Sequence, residues 1–222
     1  MLGAMRVARF GVSVVEDGHR RRWPEVVDAA AKTFQEKGYR NATVQDVADE
    51  LGILKGSLYH YIRTKEDLLF AVVVNAHEAS LAMVKQLRAL DVDPATELAE
   101  FVRAHMGLLL REQVKIGVYL TEFRSLTPEH YHAISDDRRE YFSYVEDLIR
   151  RGQSNEIFSS EVEPSIATLG LLGMLNWTQE WYREDGPQTR EEIIAGFVEM
   201  ALRSLGANER TVRRLAREPV AE

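Results

Sequence analysis

The stretch from Thr43 to Lys65, TVQDVADELGILKGSLYHYIRTK, constrains this chain more than any other, because helix signals and stop signals alternate in it at the spacing of two short packed helices. Thr43 is a favourable N-cap, and Asp46 three positions on completes a capping-box pattern. Side-chain oxygens then satisfy amides that the first helical turn leaves without partners. Val44, Val47, Ala48 and Leu51 recur at spacings of three and four, so one face is apolar and must be buried, while Gln45, Asp49 and Glu50 face elsewhere. Gly52 stops this helix by taking up a left-handed conformation, and Ile53 returns to the core. A second helix begins near Leu54. Leu58 and Ile62 anchor it, which leaves Lys55, Gly56, Ser57, Tyr59, His60 and Tyr61 on or beside its outer face.

That face is unusual for a helix in water. It combines long donors for phosphate oxygens with small residues through which a backbone can approach base edges, the equipment of a helix lying in the DNA major groove. Small Ala48 permits the two helices to cross closely. Thr64 and Asp67 form another capping pattern that starts the next helix and puts Lys65 in its first turn, where a cation opposes the helix dipole and calls for an anion nearby. The competing reading is an ordinary helical hairpin with tyrosines in its core.

From Arg22 to about Val73 the chain resembles the DNA-binding domain of the TetR family of bacterial one-component repressors. WPEVVDAAAKTFQEKGYRNATVQDVADELGILKGSLYHYIRTKEDLL carries the resemblance, with KGSLYHYI and TKEDLL its most diagnostic parts. The resemblance implies that Lys55 and Gly56, with Ser57 on the same face, sit at the base edges. It also implies that Thr43, Tyr59, His60 and Lys65 hold phosphates and that Tyr61 lies at the rim of that surface. The expected partner is a double-stranded, palindromic DNA operator bound by a homodimer.

A net charge of −7 argues at first against a nucleic-acid partner, but location matters more than the total. Between Arg20 and Lys65 nine basic and six acidic residues leave +3, so the remainder carries −10, as expected of a DNA-facing head on a body that does not touch DNA. The chain has 222 residues and no cysteine, which excludes disulfides, thiolate metal sites and a cysteine nucleophile. No apolar run is read as approaching membrane-spanning length and no signal peptide is recognised, so a cytoplasmic protein without membrane contact is expected.

Helical periodicity continues almost throughout, and the expected fold is all-α: a three-helix helix-turn-helix head on a larger helical ligand-binding and dimerisation domain. The expected division is a mobile arm over 1–19, the head over 20–66, the body over 67–206 and a tail over 207–222. In the head, Trp23, Val26, Val27, Ala30 and Phe34 make the buried stripe of a first helix that Gly38 ends. After the motif the pattern predicts helices over about 65–90, 95–111, 113–125, 128–152, 164–183 and 189–205, with Pro94, Pro128, Pro164 and Gly186-Pro187 as punctuation. The segments 164–182 and 193–202 are apolar or small on nearly every side. A subunit interface would cover them, with Gly170, Gly173, Ala195 and Gly196 allowing backbones to approach; the alternative is an interior helix of one domain.

An apolar effector cavity with a few polar groups is expected in the middle of the chain. Its candidate residues are Arg103, His105, Tyr119, Glu122, Phe123, Arg138, Tyr141, Asn176, Trp177 and Trp181. The C-terminal half, LNWTQEWYREDGPQT above all, is similar to TetR-type repressors of fatty-acid and sterol catabolism, which implies an acyl-CoA effector whose anionic head would meet Arg103, Arg138 or Arg139. Where those relatives commonly carry Arg this chain has Glu180, and a sensor of lipophilic or multidrug ligands is the alternative. The six histidines show no HExxH or comparable spacing, and GxSxG, GxxxxGK and GxGxxG are absent, so no metal, no cofactor and no enzyme activity are expected.

Overall fold

The computed structural model describes residues 22–217. The arm over 1–19, with Arg20 and Arg21, lies outside the described residues, as do residues 218–222 of the tail. Among the described residues every regular element is helical.

Helix α1, Trp23–Lys37, has Pro24 in its first turn and buries Trp23, Val26, Val27, Ala30 and Phe34. Gly38, at φ 73°, ends it. Helix α2, Val44–Glu50, starts with the expected capping box, in which the Thr43 hydroxyl accepts from the Asp46 amide at 3.2 Å and the Asp46 carboxylate accepts from the Thr43 amide at 2.8 Å. Gly52 turns the chain at φ 65°. Helix α3 covers only Lys55–Leu58, and Leu58 and Ile62 are buried as the spacing requires. Asp67 caps the next helix, α4 (Lys65–Leu87), by accepting from the amides of Arg63 and Thr64, both at 2.8 Å.

The remaining helices are α5 (Pro94–Arg111), α6 (Gln113–Glu122), a 3₁₀ turn at Phe123–Ser125, α7 (Pro128–Ala133), α8 (Ser135–Ser154), α9 (Pro164–Asn176), α10 (Thr178–Trp181), α11 (Arg190–Ser204) and α12 (Glu209–Leu215). Two expected helices are interrupted. The run over 128–152 breaks at the buried Ile134, where the adjacent acids Asp136 and Asp137 suit the start of a new helix better than the middle of an old one. The run over 164–183 breaks at Trp177. The tail forms α12, capped by Asn208, whose side chain accepts from the Thr211 amide at 3.0 Å.

Packing divides the chain into two compact units. One gathers the described residues up to Ala79 with Glu112–Asp137; the other begins at Ser80–Arg111 and resumes from Arg138. In the first, α1 packs on α2 and α6 around Trp23, Phe34, Val47, Leu58, Leu68 and Phe70. In the second, α11 lies along α5, with α9 and α12 also against α5. Residues 152 and 158 illustrate the fit there: a Cβ on Gly152 would stand 2.0 Å from the Phe158 ring.

Contrary to the sequence reading, α4 is by length and composition apolar enough to cross a membrane. Its apolar window is 67% buried inside the protein. In the second unit α9 and α11 do not bury all sides. Ile166, Leu169, Trp177 and Met200 stay more than half exposed, and Gly170, Gly173 and Gly196 have nothing within 4 Å of where a Cβ would stand.

Candidate nucleic-acid interface and ligand-binding region

The capping box and Gly52 fix the turn between α2 and α3, and Ala48, fully buried, lets the pair cross closely. What remains outward is narrow. Lys55, Gly56, Tyr59, His60 and Thr43 are exposed, and Ser57 is half-buried. Gly56 is informative because a Cβ there would meet nothing within 4 Å. No packing demand inside the protein requires glycine, although glycine in a helix costs about 0.5 to 1 kcal/mol relative to alanine. Gly56→Ala should leave thermal stability unchanged or slightly raised, and weaken operator binding by about 1 to 3 kcal/mol, the scale of one base-edge contact. Paired melting and anisotropy titrations check both halves.

Two residues expected on this face are not there. Tyr61 is 6% exposed and stacks on Trp23 with ring centroids 6.4 Å apart, because it follows Leu58 by three residues and falls on the buried side. Lys65 is half-buried, and its Nζ donates to the carbonyl oxygens of Tyr39, Arg40 and Ala42 at 2.8, 3.3 and 2.9 Å. It also sits 4.5 Å from the centre of the Tyr39 ring. An ammonium has three protons, and all are taken. The partners that Lys65 finds within its own chain are three loop carbonyls.

The candidate effector residues are divided between the two units. Tyr119, Glu122 and Phe123 fall in the first unit and the other seven in the second. Tyr119 meets His77 edge-on at 4.6 Å, and Glu122 accepts from the Tyr39 amide at 3.4 Å and the Ser125 hydroxyl at 3.0 Å. Arg103 is buried, donating to Glu100 and to the Leu215 carbonyl, so it holds α12 on α5 and is no cation at a pocket mouth. Arg138 is half-buried.

His105, Tyr141 and Asn176 do come together. The imidazole Nδ1 is 2.5 Å from the Tyr141 hydroxyl and Nε2 is 3.2 Å from Asn176 Oδ1. With Asn176 presenting its carbonyl oxygen, His105 donates from Nε2 and accepts the tyrosine proton at Nδ1, a neutral polar trio beside Phe101. Burial pushes the His105 pKa from 6.5 down to about 4, against the opposing effect of Asn176. The unfolded chain therefore binds a proton between pH 6.5 and 4 that the folded chain refuses. This contribution to stability is complete above that window and is lost as pH falls through it. Wild type should lose more stability on acidification across this range than His105→Gln does, which denaturation at both ends measures.

Trp177 and Trp181 are exposed. With Met174, Gly196, Phe197 and Met200 they line an open groove of about 590 Å³ between α9, α10 and α11. They belong to the uncovered apolar face rather than to an enclosed cavity. Glu66, Asp67 and His130 bring ligand-type atoms within 4.8 Å of one another, a grouping no sequence spacing disclosed. These atoms already serve as partners: Glu66 accepts from Thr127 at 3.0 Å and contacts His130 at 2.5 Å, while Asp67 caps α4.

Residues 26–72 match the model of bacterial regulatory proteins of the tetR family, and residues 91–205 that of a tetracyclin repressor-like C-terminal domain. The chain belongs to the TetR family. It is 25% identical over 191 residues to the HTH-type transcriptional repressor KstR2 of Rhodococcus jostii (strain RHA1), covering 86% of this chain and 94% of that one. The crystal structure of the TetR family regulator PfmR from Thermus thermophilus is 31% identical with a TM-score of 0.73, over 80% of this chain and 97% of that one. AibR, solved in complex with isovaleryl coenzyme A and operator DNA, is 25% identical with a TM-score of 0.74, over 81% and 97%. This TetR chain is thus a transcriptional repressor with an N-terminal helix-turn-helix and a larger C-terminal helical domain.

Proposed function

We propose that the chain acts as a homodimer, binds a palindromic operator through the outer face of α3, and lets go when a small hydrophobic effector, an acyl-CoA, binds the C-terminal domain. The observation that carries the operator reading is Gly56, standing in open space between the exposed Lys55 and the exposed Tyr59 and His60 that follow the helix. Twofold symmetry fits the uncovered face of α9 and α11, where three helical glycines serve no packing need of the protomer but would let two backbones meet. Each reading helix is short, and a dimer doubles its contacts at half-sites about 34 to 36 Å apart. The acyl-CoA reading is supported by the likeness to AibR, which was solved with such a ligand. An effector that prefers a dimer geometry unmatched to successive grooves lowers operator affinity, and linkage requires that operator lower effector affinity by the same factor.

The alternative, a sensor of lipophilic or multidrug ligands, is favoured by one observation: the aromatic groove of Trp177 and Trp181 has Glu192 in its lining, a carboxylate where a cation would find a partner. Calorimetric titration with an acyl-CoA series that includes isovaleryl-CoA, with and without operator, separates the two. Acyl-CoA should bind and do so more weakly in the presence of operator. Tight binding of a lipophilic cation with none across the acyl-CoA series would overturn the first reading in favour of the second.

A further inference from the structure

We infer that Arg40 grips a backbone phosphate of the operator, in the role that the family resemblance implies for Lys65. The inference rests on the DNA-binding function of the head and adds to it a residue that the motif does not mark.

The cations of the head are mostly engaged within the protein. Arg22 pairs with Glu25 at 3.0 Å, Lys32 with Glu50 at 2.7 Å, Lys37 with Asp46 at 2.6 Å, and Lys65 holds three carbonyls. Arg63 has a partner as well. Among the described lysines and arginines from Arg22 to Lys65, the side chains of Arg40 and Lys55 alone have no hydrogen-bond or ion-pair partner. A phosphate gains most from a cation of this kind. A cation paired with a carboxylate must first give up that balancing charge, and Lys65 would have to release its three carbonyls.

Geometry singles out Arg40 for the backbone rather than the bases. It is exposed, and it lies in the loop that leads to Thr43 at the start of α2 instead of on α3. That loop is unusually well held. Gly38 turns it at φ 73°, the Ala42 amide donates back to the Gly38 carbonyl at 3.0 Å, and Asn41 Nδ2 donates to the Lys37 carbonyl at 3.2 Å. Lys65 then draws the carbonyls of residues 39, 40 and 42 to the first residue of α4, directly after the segment that follows α3. Lys65 is a positioning residue, and Arg40 is the group it positions: a free guanidinium on a fixed base, whose planar fork suits phosphate oxygens.

The test uses full-length protein, a palindromic duplex selected by the protein from a random pool, and a random duplex, with affinities measured between about 50 and 200 mM salt. Arg40→Ala should weaken binding to both duplexes. It should lower the salt slope by about 0.9 per head, so that its deficit shrinks about 3.5-fold per head across that range. Arg40→Lys should keep most of the slope, and Lys32→Ala, which removes an engaged cation, should leave it unchanged. An Arg40→Ala variant that melts normally and retains the wild-type slope would overturn the inference, as would a loss confined to the selected duplex. A wild type without salt-dependent binding would instead remove the DNA-binding reading itself.

Discussion

Gly173→Glu should turn the protein into monomers and remove tight operator binding while leaving each protomer folded. Gly173 is exposed on α9, and a Cβ there would meet nothing within 4 Å, so the protomer has room for the side chain. Within the helix the change is favourable by about 0.5 to 1 kcal/mol, since glycine is the weaker helix former. Across a twofold interface it is the reverse. The same carboxylate enters from both subunits into a face made by Ile166, Leu169, Trp177 and Met200, where an unpaired charge taken out of water costs several kcal/mol. Sedimentation velocity at micromolar concentration, with a thermal melt of each protein, separates assembly from folding. A dimeric variant, or a wild type already monomeric, would show that this face is not the interface.

Lys65→Met should destabilise the head by about 2 to 4 kcal/mol, the scale of losing charge-assisted hydrogen bonds and a cation–π contact at a half-buried position. Methionine matches much of the stem but donates nothing, so three carbonyls of the α1–α2 loop lose their partner. Hydrogen exchange should rise for amides of that loop and of α2 first, because the loop carries the capping box. A Lys65 acting mainly on phosphate would behave differently: unchanged exchange in the free protein, with a reduced salt slope for DNA. That second pattern would overturn the positioning role.

Much of this molecule was legible in the chain because its signals are local. Capping boxes at Thr43 and Thr64, glycines 38 and 52, and apolar spacings within one or two turns placed helices to within a few residues. What escaped depends on partners far away in sequence. Tyr59 and Tyr61 look alike in a motif, yet Tyr61 finds Trp23 across the head while Tyr59 stays 47% exposed. Lys65 advertises a need for negative charge, and the sequence does not say whether a phosphate or a loop 25 residues earlier supplies it. Arg103 likewise looked like a ligand's counter-ion and instead holds the carbonyl of Leu215. The ten candidate effector residues came from type and region alone, which give no distances; His105, Tyr141 and Asn176 meet because three helices bring them together.

Whether the outer face of α3 reads an operator is decided by titrating wild type and the Lys55→Ala/Tyr59→Ala double variant against a selected palindromic duplex and a random one. Both side chains are exposed and neither supports the core, so the variant should melt as wild type does. Preference for the palindrome should collapse, with about 1 to 3 kcal/mol lost at the Lys55 contact alone, while weak salt-dependent binding to random DNA persists through cations elsewhere on the head. A folded double variant that still prefers its palindrome as strongly as wild type would contradict that role of α3.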